Sequence, residues 1–149
     1  MSHTAERSID IDVPVEKFYE LITDFERYPE FLSDVLDARI LSREEESYRV
    51  EFTVRVIRKV EYTLVLTGVP SERLTWTLGK PGLFKSNEGG WWLESLGDTK
   101  TRATYRLAVS VSAFVPKAIT KRLVSFTLPE MLQQWKGQAE RLYSSTSDQ

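Results

Sequence analysis

The chain has 149 residues, 41% hydrophobic and 28% charged, with a net charge of −2. That length suits one domain with a sizeable core. Its charge balance excludes the broad electrostatic grip on DNA that many clustered Lys and Arg would give. With no cysteine and one histidine, His3, it has neither a disulfide framework nor a thiolate or His-based metal set, nor a His-centred catalytic triad.

In chain order, Ser8 to Val13 alternates polar and apolar residues, the period of a half-buried strand. Pro14 fits the first turn of a helix, where its missing N–H costs nothing. Val15, Phe18, Tyr19 and Ile22 then form a stripe at helical spacing. Asp24 is the expected cap of a second short helix ending near Leu32, which Pro29 limits to one or two turns.

From residue 39 the period changes to two. Arg39 to Ser42 closes a strand, and residues 43–47 make a charged turn. Tyr48, Val50, Phe52, Val54 and Val56 alternate with polar residues, followed by Tyr62, Leu64 and Leu66, then Leu74, Trp76 and Leu78. Trp91 and Leu93 share one face, with Trp92 in the opposite phase; Ala103, Tyr105, Leu107 and Val109 form the last strand. Turns are expected at 69–72, 79–82 and 97–98. Six strands at short spacing read as an antiparallel meander, seven with the first.

A helical period returns with Ile119, Leu123, Phe126, Leu132, Trp135, Ala139 and Leu142. Thr127 to Glu130 reads as a capping box, so the helix should break near Pro129. The polar tail from Ser144 is expected to fray. There is no internal repeat and no linker, so a single domain over 1–149 is expected. Each strand has an apolar face that something must cover, and the long C-terminal helix is the element available. The fold class is therefore α+β, a curved seven-stranded antiparallel sheet around that helix, with two short helices after the first strand.

Two stretches, Asp24-Phe25-Glu26-Arg27-Tyr28-Pro29-Glu30-Phe31 and Asn87-Glu88-Gly89-Gly90-Trp91-Trp92-Leu93, together with this element order, resemble the START-related superfamily. That superfamily includes polyketide cyclases and the birch-pollen allergen family, and the local likeness is to its coenzyme Q-binding and ribosome-association toxin branch. The resemblance implies a helix-grip fold. It also implies a lipid, quinone, polyketide or hormone as ligand, or in some members an action on a macromolecule; the fold alone does not choose among these.

By strand phase, Phe52, Val54, Tyr62, Leu64, Trp76, Trp91, Tyr105 and Leu107 should converge on the concave side and line one cavity, with Leu123 and Phe126 as its lid. Each has an ordinary reading beside that one. Trp76 and Trp91 stack on a flat ligand or simply fill the core. Tyr62 and Tyr105 bond a ligand oxygen or a backbone carbonyl. Tyr28 to Phe31 guards the mouth or anchors a short helix. Arg55, Arg58 and Lys59, with Arg102 and Arg106, make a ribosome-binding patch or a solvated exterior balanced by acids. Asp34 and Asp37 stand at a strand start, where a solvated role is expected. Gly89-Gly90 inside a strand signals a bulge or a close backbone approach.

The expected function is binding of a hydrophobic small molecule without a cofactor. The alternatives are a polyketide cyclase or dehydratase-type enzyme, which could act by holding a folded chain, and a regulatory module for the ribosome or another protein partner. With no apolar run near the ~20 residues that span a bilayer and no signal-peptide core, the expected location is cytoplasmic.

Overall fold

The computed structural model describes residues 2–56, 58–118 and 128–143. Strand β1 (Ser2–Ile11) leads to helix α1 (Val15–Ile22) and a 3-10 helix (Phe25–Glu30). Six strands follow: β2 (Val35–Glu44), β3 (Ser47–Val56), β4 (Arg58–Val69), β5 (Arg73–Leu78), β6 (Phe84–Gly97) and β7 (Lys100–Val111). The C-terminal helix, α2, is described over Leu128–Tyr143. The strands form one curved antiparallel sheet in the order β1-β7-β6-β5-β4-β3-β2, as the alternating pattern predicts. Consecutive hairpins build the meander, and β1 closes it by pairing with β7, from Ser2 opposite Ser110 to Ile11 opposite Thr101.

Local details depart from the sequence reading in three places. Pro14 is the residue before α1 rather than inside its first turn, extended at φ −61 and ψ 147. Asp24 precedes the 3-10 helix but its side chain caps nothing; its carboxylate faces Arg27 at 3.9 Å. The charged turn is tighter than expected. β2 runs on to Glu44, leaving Glu45 and Glu46 as a two-residue connection with Glu45 at φ 54, because such hairpins need positive φ to match the strand twist.

Helix α2 lays Leu132, Trp135 and Ala139 against the concave face, at i, i+3 and i+7. Its far end is tied to β1. The Lys136 ammonium donates to the Asp10 carbonyl and to the Glu140 carboxylate, each at 2.7 Å, and the Asp12 backbone N–H donates to Glu140 at 2.9 Å. Desolvation pushes the Glu140 carboxyl up, but these two donors outweigh it and hold the group below its ordinary value. Pro129 stands second in the described span, and the expected break before it lies outside the described residues. Thr127, expected as the cap, and the tail from Ser144 lie outside the described residues.

Candidate functional site

The inner face carries a continuous aromatic network. Trp135 is its hub: its ring centroid lies 4.9 Å from Tyr28, 4.9 Å from Phe31, 5.5 Å from Trp91 and 6.2 Å from Phe18, all edge-on. From this hub one arm runs Trp91–Tyr105–Trp76, at 5.0 and 5.6 Å. The other runs Tyr28–Phe52–Tyr62–Phe84, at 5.8, 5.6 and 5.3 Å. Two α-helices, the 3-10 helix and five strands thus meet through rings on the concave face.

The eight strand residues expected at the site do share this face, but at different depths. Phe52, Leu64, Trp76 and Trp91 are buried. Trp91, 2% exposed, is enclosed by Phe18, Tyr105 and Trp135, so a substitution there acts first on stability. Val54 sits apart, in a small cluster with Val35, Val60, Tyr62 and Val115. Tyr62, Tyr105 and Leu107 are half-buried. Leu123 and Phe126 lie outside the described residues.

The two tyrosines carry the chemical content. Burial pushes the Tyr62 phenol up to about 12 and drives Tyr105 up further, with the nearby Tyr62 hydroxyl adding to it. Each phenol is thus set among protein atoms yet keeps some accessible surface. The hydroxyls agree: no described residue bonds to either, yet among the described residues the only sealed side-chain polar atom without a partner is Thr63 Oγ1. Tyr28 differs, since its hydroxyl donates to the Ile22 carbonyl and anchors the short helix to α1. Of the two readings of the 28–31 stretch, the anchor describes Tyr28.

The raised phenols carry a stability consequence. An unfolded tyrosine titrates near pH 10, so the folded state favours the neutral phenol. The contribution of Tyr62 is fully present below the unfolded value and is lost as pH rises through about 12. In alkaline titration the Tyr62 phenolate is expected to appear well above the free-tyrosine pH, together with unfolding, and Tyr62→Phe should flatten the fall of stability in that window. Ionisation of Tyr62 at the free-tyrosine pH would show the ring to be hydrated.

Asn87 is a site residue that the strand pattern did not single out. It is buried, and its side-chain oxygen accepts from the Trp76 indole N–H at 3.1 Å. That bond holds the Trp76 ring, whose centroid lies 5.6 Å from that of Tyr105. The available signal was phase: Asn87, Gly89 and Trp91 alternate on one side of β6, and an inward Asn beside an inward Trp is a donor–acceptor pair.

The outer face bears an open groove of about 550 Å3, lined among others by Glu6, Thr75, Glu88, Trp92 and Arg106. Trp92 is outward, as its phase predicts, and Arg106 lies over its ring at 4.9 Å while pairing with Glu6 at 3.0 Å. Arg102 is likewise paired with Asp10, at 2.9 Å. These two arginines are balanced exterior charges. No described helix is long and apolar enough to cross a membrane.

A family model described as polyketide cyclase / dehydrase and lipid transport matches residues 11–136. The chain belongs to this family. The polyketide cyclase / dehydrase and lipid transport family is named for acts on hydrophobic small molecules, which fits an apolar inner face with two phenols. A relative from Pseudomonas aeruginosa, named ribosome association toxin RatA, is 26% identical over 144 residues, covering 96% of this chain and 99% of that protein. Among solved structures, a START superfamily protein from Mycobacterium smegmatis superposes with a TM-score of 0.81 at 21% identity, covering 94% of this chain and 99% of that one. The ZhuI aromatase/cyclase from Streptomyces sp. R1128 superposes with a TM-score of 0.83 at 15% identity, covering 95% of each. At these identities the structures establish the helix-grip, START-like fold and leave the substrate to the site.

Proposed function

We propose that this member of the polyketide cyclase / dehydrase and lipid transport family binds a mainly apolar small molecule bearing one or two oxygens, held between the inner sheet face and the C-terminal helix. The supporting observation is the pair Tyr62 and Tyr105, half-buried on the inner sheet face, whose hydroxyls lack a bond to any described residue. Phe52, Leu64, Trp76 and Leu107 supply apolar walls beside them. A quinone such as coenzyme Q, a polyketide or an oxidised lipid meets that description.

Binding is favoured over acid–base catalysis by the same chemistry. A general acid works best with a pKa near the operating pH, and a phenol pushed to about 12 is far from it. The buried polar side chains among the described residues are threonines, Asn87 and Gln138, with no carboxylate. A cyclase-type role, supported by the family description, would therefore rest on holding a reactive chain in a folded conformer.

The test is native mass spectrometry of protein purified from its own host, followed by titration of a short-chain ubiquinone and of a polycyclic aromatic ketone against Trp fluorescence. Saturable binding is expected. Tyr62→Phe and Tyr105→Phe should each weaken it about five- to tenfold, the loss of one hydrogen bond. Binding that survives both changes and Trp76→Ala, in folded protein, would place the site elsewhere.

A further inference from the structure

The charges of this chain are sorted along the strands. The antiparallel meander brings residues 12–14, 43–47, 69–73 and 96–100 to one end of the sheet, and residues 33–35, 55–59, 79–85 and 111–118 to the other. The first end carries six acids, Asp12, Glu44, Glu45, Glu46, Glu72 and Asp98, against three bases. Each of those bases is ion-paired: Arg43 with Glu46, Arg73 with Glu72 and Lys100 with Asp12. The second end carries six bases, Arg55, Arg58, Lys59, Lys80, Lys85 and Lys117, against three acids, Asp34, Asp37 beside Leu36, and Glu130 one turn from Gln134, which bonds Ser33. Arg55, Lys59, Lys80, Lys85 and Lys117 are exposed, and none forms an ion pair with a described residue. In a chain of net charge −2, unbalanced cations gathered at one end form an anion-seeking surface.

Among these cations stands Phe114, 95% exposed. Its loop is fastened on both sides. The Ser112 N–H donates to the Leu83 carbonyl at 2.8 Å, the Val115 N–H donates to the Ser112 carbonyl at 3.0 Å, and the Val115 side chain packs on Val54. The ring is therefore presented outward by an anchored turn. Leu36, also exposed, lies at the start of β2 on the same end.

We propose that this end of the sheet docks on an anionic lipid surface, with Phe114 entering at headgroup depth and the five unpaired cations meeting lipid phosphates. An exposed aromatic ring at the same end of the sheet as exposed Lys and Arg matches the bilayer interface, where both the apolar ring and the cations find partners. The same cations would attract RNA, but a base-stacking surface uses several rings along a groove, and here one ring has aliphatic neighbours. Tyr62 packs in the Val54 and Val115 cluster beneath this end, but the cations and Phe114 are the groups that would meet lipid, so docking does not require the Tyr62 hydroxyl.

Flotation of the purified full chain with vesicles tests this. Binding is expected to phosphatidylcholine–phosphatidylserine vesicles, with little to phosphatidylcholine alone, and should weaken as salt rises. Phe114→Ser should lower it about fivefold or more, by removing the buried ring area. The double variant Lys59→Glu/Lys85→Glu should lower it by about tenfold or more. Glu45→Lys at the opposite end, and Tyr62→Phe inside, should leave it unchanged, so ligand binding and docking fail or stand separately. All four variants are checked by melting. No binding to anionic vesicles, binding insensitive to both Phe114→Ser and the charge reversals, or capture of single-stranded RNA in place of vesicles would each overturn the proposal.

Discussion

Trp135→Ala is expected to remove about 3–5 kcal/mol of folding stability, the usual cost of truncating an enclosed Trp. The residue is 2% exposed and sits where α1, the 3-10 helix, α2 and the sheet meet. Four aromatic partners lose an edge-on contact at once, each such pair worth about 0.5–1.5 kcal/mol beyond simple burial. Those partners are themselves braced by Trp91, Tyr28 and Phe25, so the hole cannot collapse by moving one side chain. A domain of this size has about 5–15 kcal/mol in total. The variant should therefore unfold at much lower urea and lose the helix packing on the sheet. Trp135→Phe should recover a large part of the loss. A change of less than about 1 kcal/mol in urea unfolding would mean that the helix is not seated by this ring.

Gly89→Ala is expected to cost about 3 kcal/mol or more, at the upper end of what overpacking does. A β-carbon on Gly89 would lie 2.2 Å from the Arg106 carbonyl oxygen and 3.1 Å from both the Leu107 Cα and the Trp76 ring. The first two are backbone atoms of β7, paired with β6 along its length, so they yield only if the ladder opens. The close approach expected from a Gly-Gly pair inside a strand is thus the reason for this glycine, and the β6–β7 register passes through it without a shift. Gly82→Ala, with nothing within 4 Å, should be close to neutral, and Gly137→Ala, exposed in α2 with open space around it, should stabilise by about 0.5–1 kcal/mol. Equal effects at the three positions in thermal or urea unfolding would contradict the crowding argument.

Hydrophobic phase made the fold legible because a period of two assigns each residue of a long strand to a face. It placed Trp76, Tyr105 and Phe52 inward and Trp92 outward, as observed. Phase carries no information on depth. Trp76 and Trp91 look equivalent in sequence and both touch Tyr105, yet Trp91 also meets Phe18 of α1 and Trp135 of α2 and lies deeper. Depth depends on which helix lands on which strand, a tertiary fact. Asn87 was missed because a polar residue in an inward phase reads as a break in the pattern until its indole partner is known. The charge sorting was hidden for a different reason. Lys59, Lys80, Lys85 and Lys117 are scattered through the sequence and become neighbours only after three hairpins fold their segments to one end.

The pairing of β1 with β7 joins residues about a hundred positions apart, Ser2 with Ser110 and Ile11 with Thr101. During synthesis the first strand therefore emerges long before its partner exists. The β2–β7 hairpins, being local, can assemble in order of emergence, because short-range contacts close faster than distant ones. β1, whose partner is β7, and α2 are expected to join after the hairpins, and the two are tied through Lys136 and Glu140. These two late elements are also the ones that complete and cover the concave face. An apolar molecule already resting on the open meander would be enclosed by the final folding step itself, with no passage through a finished wall.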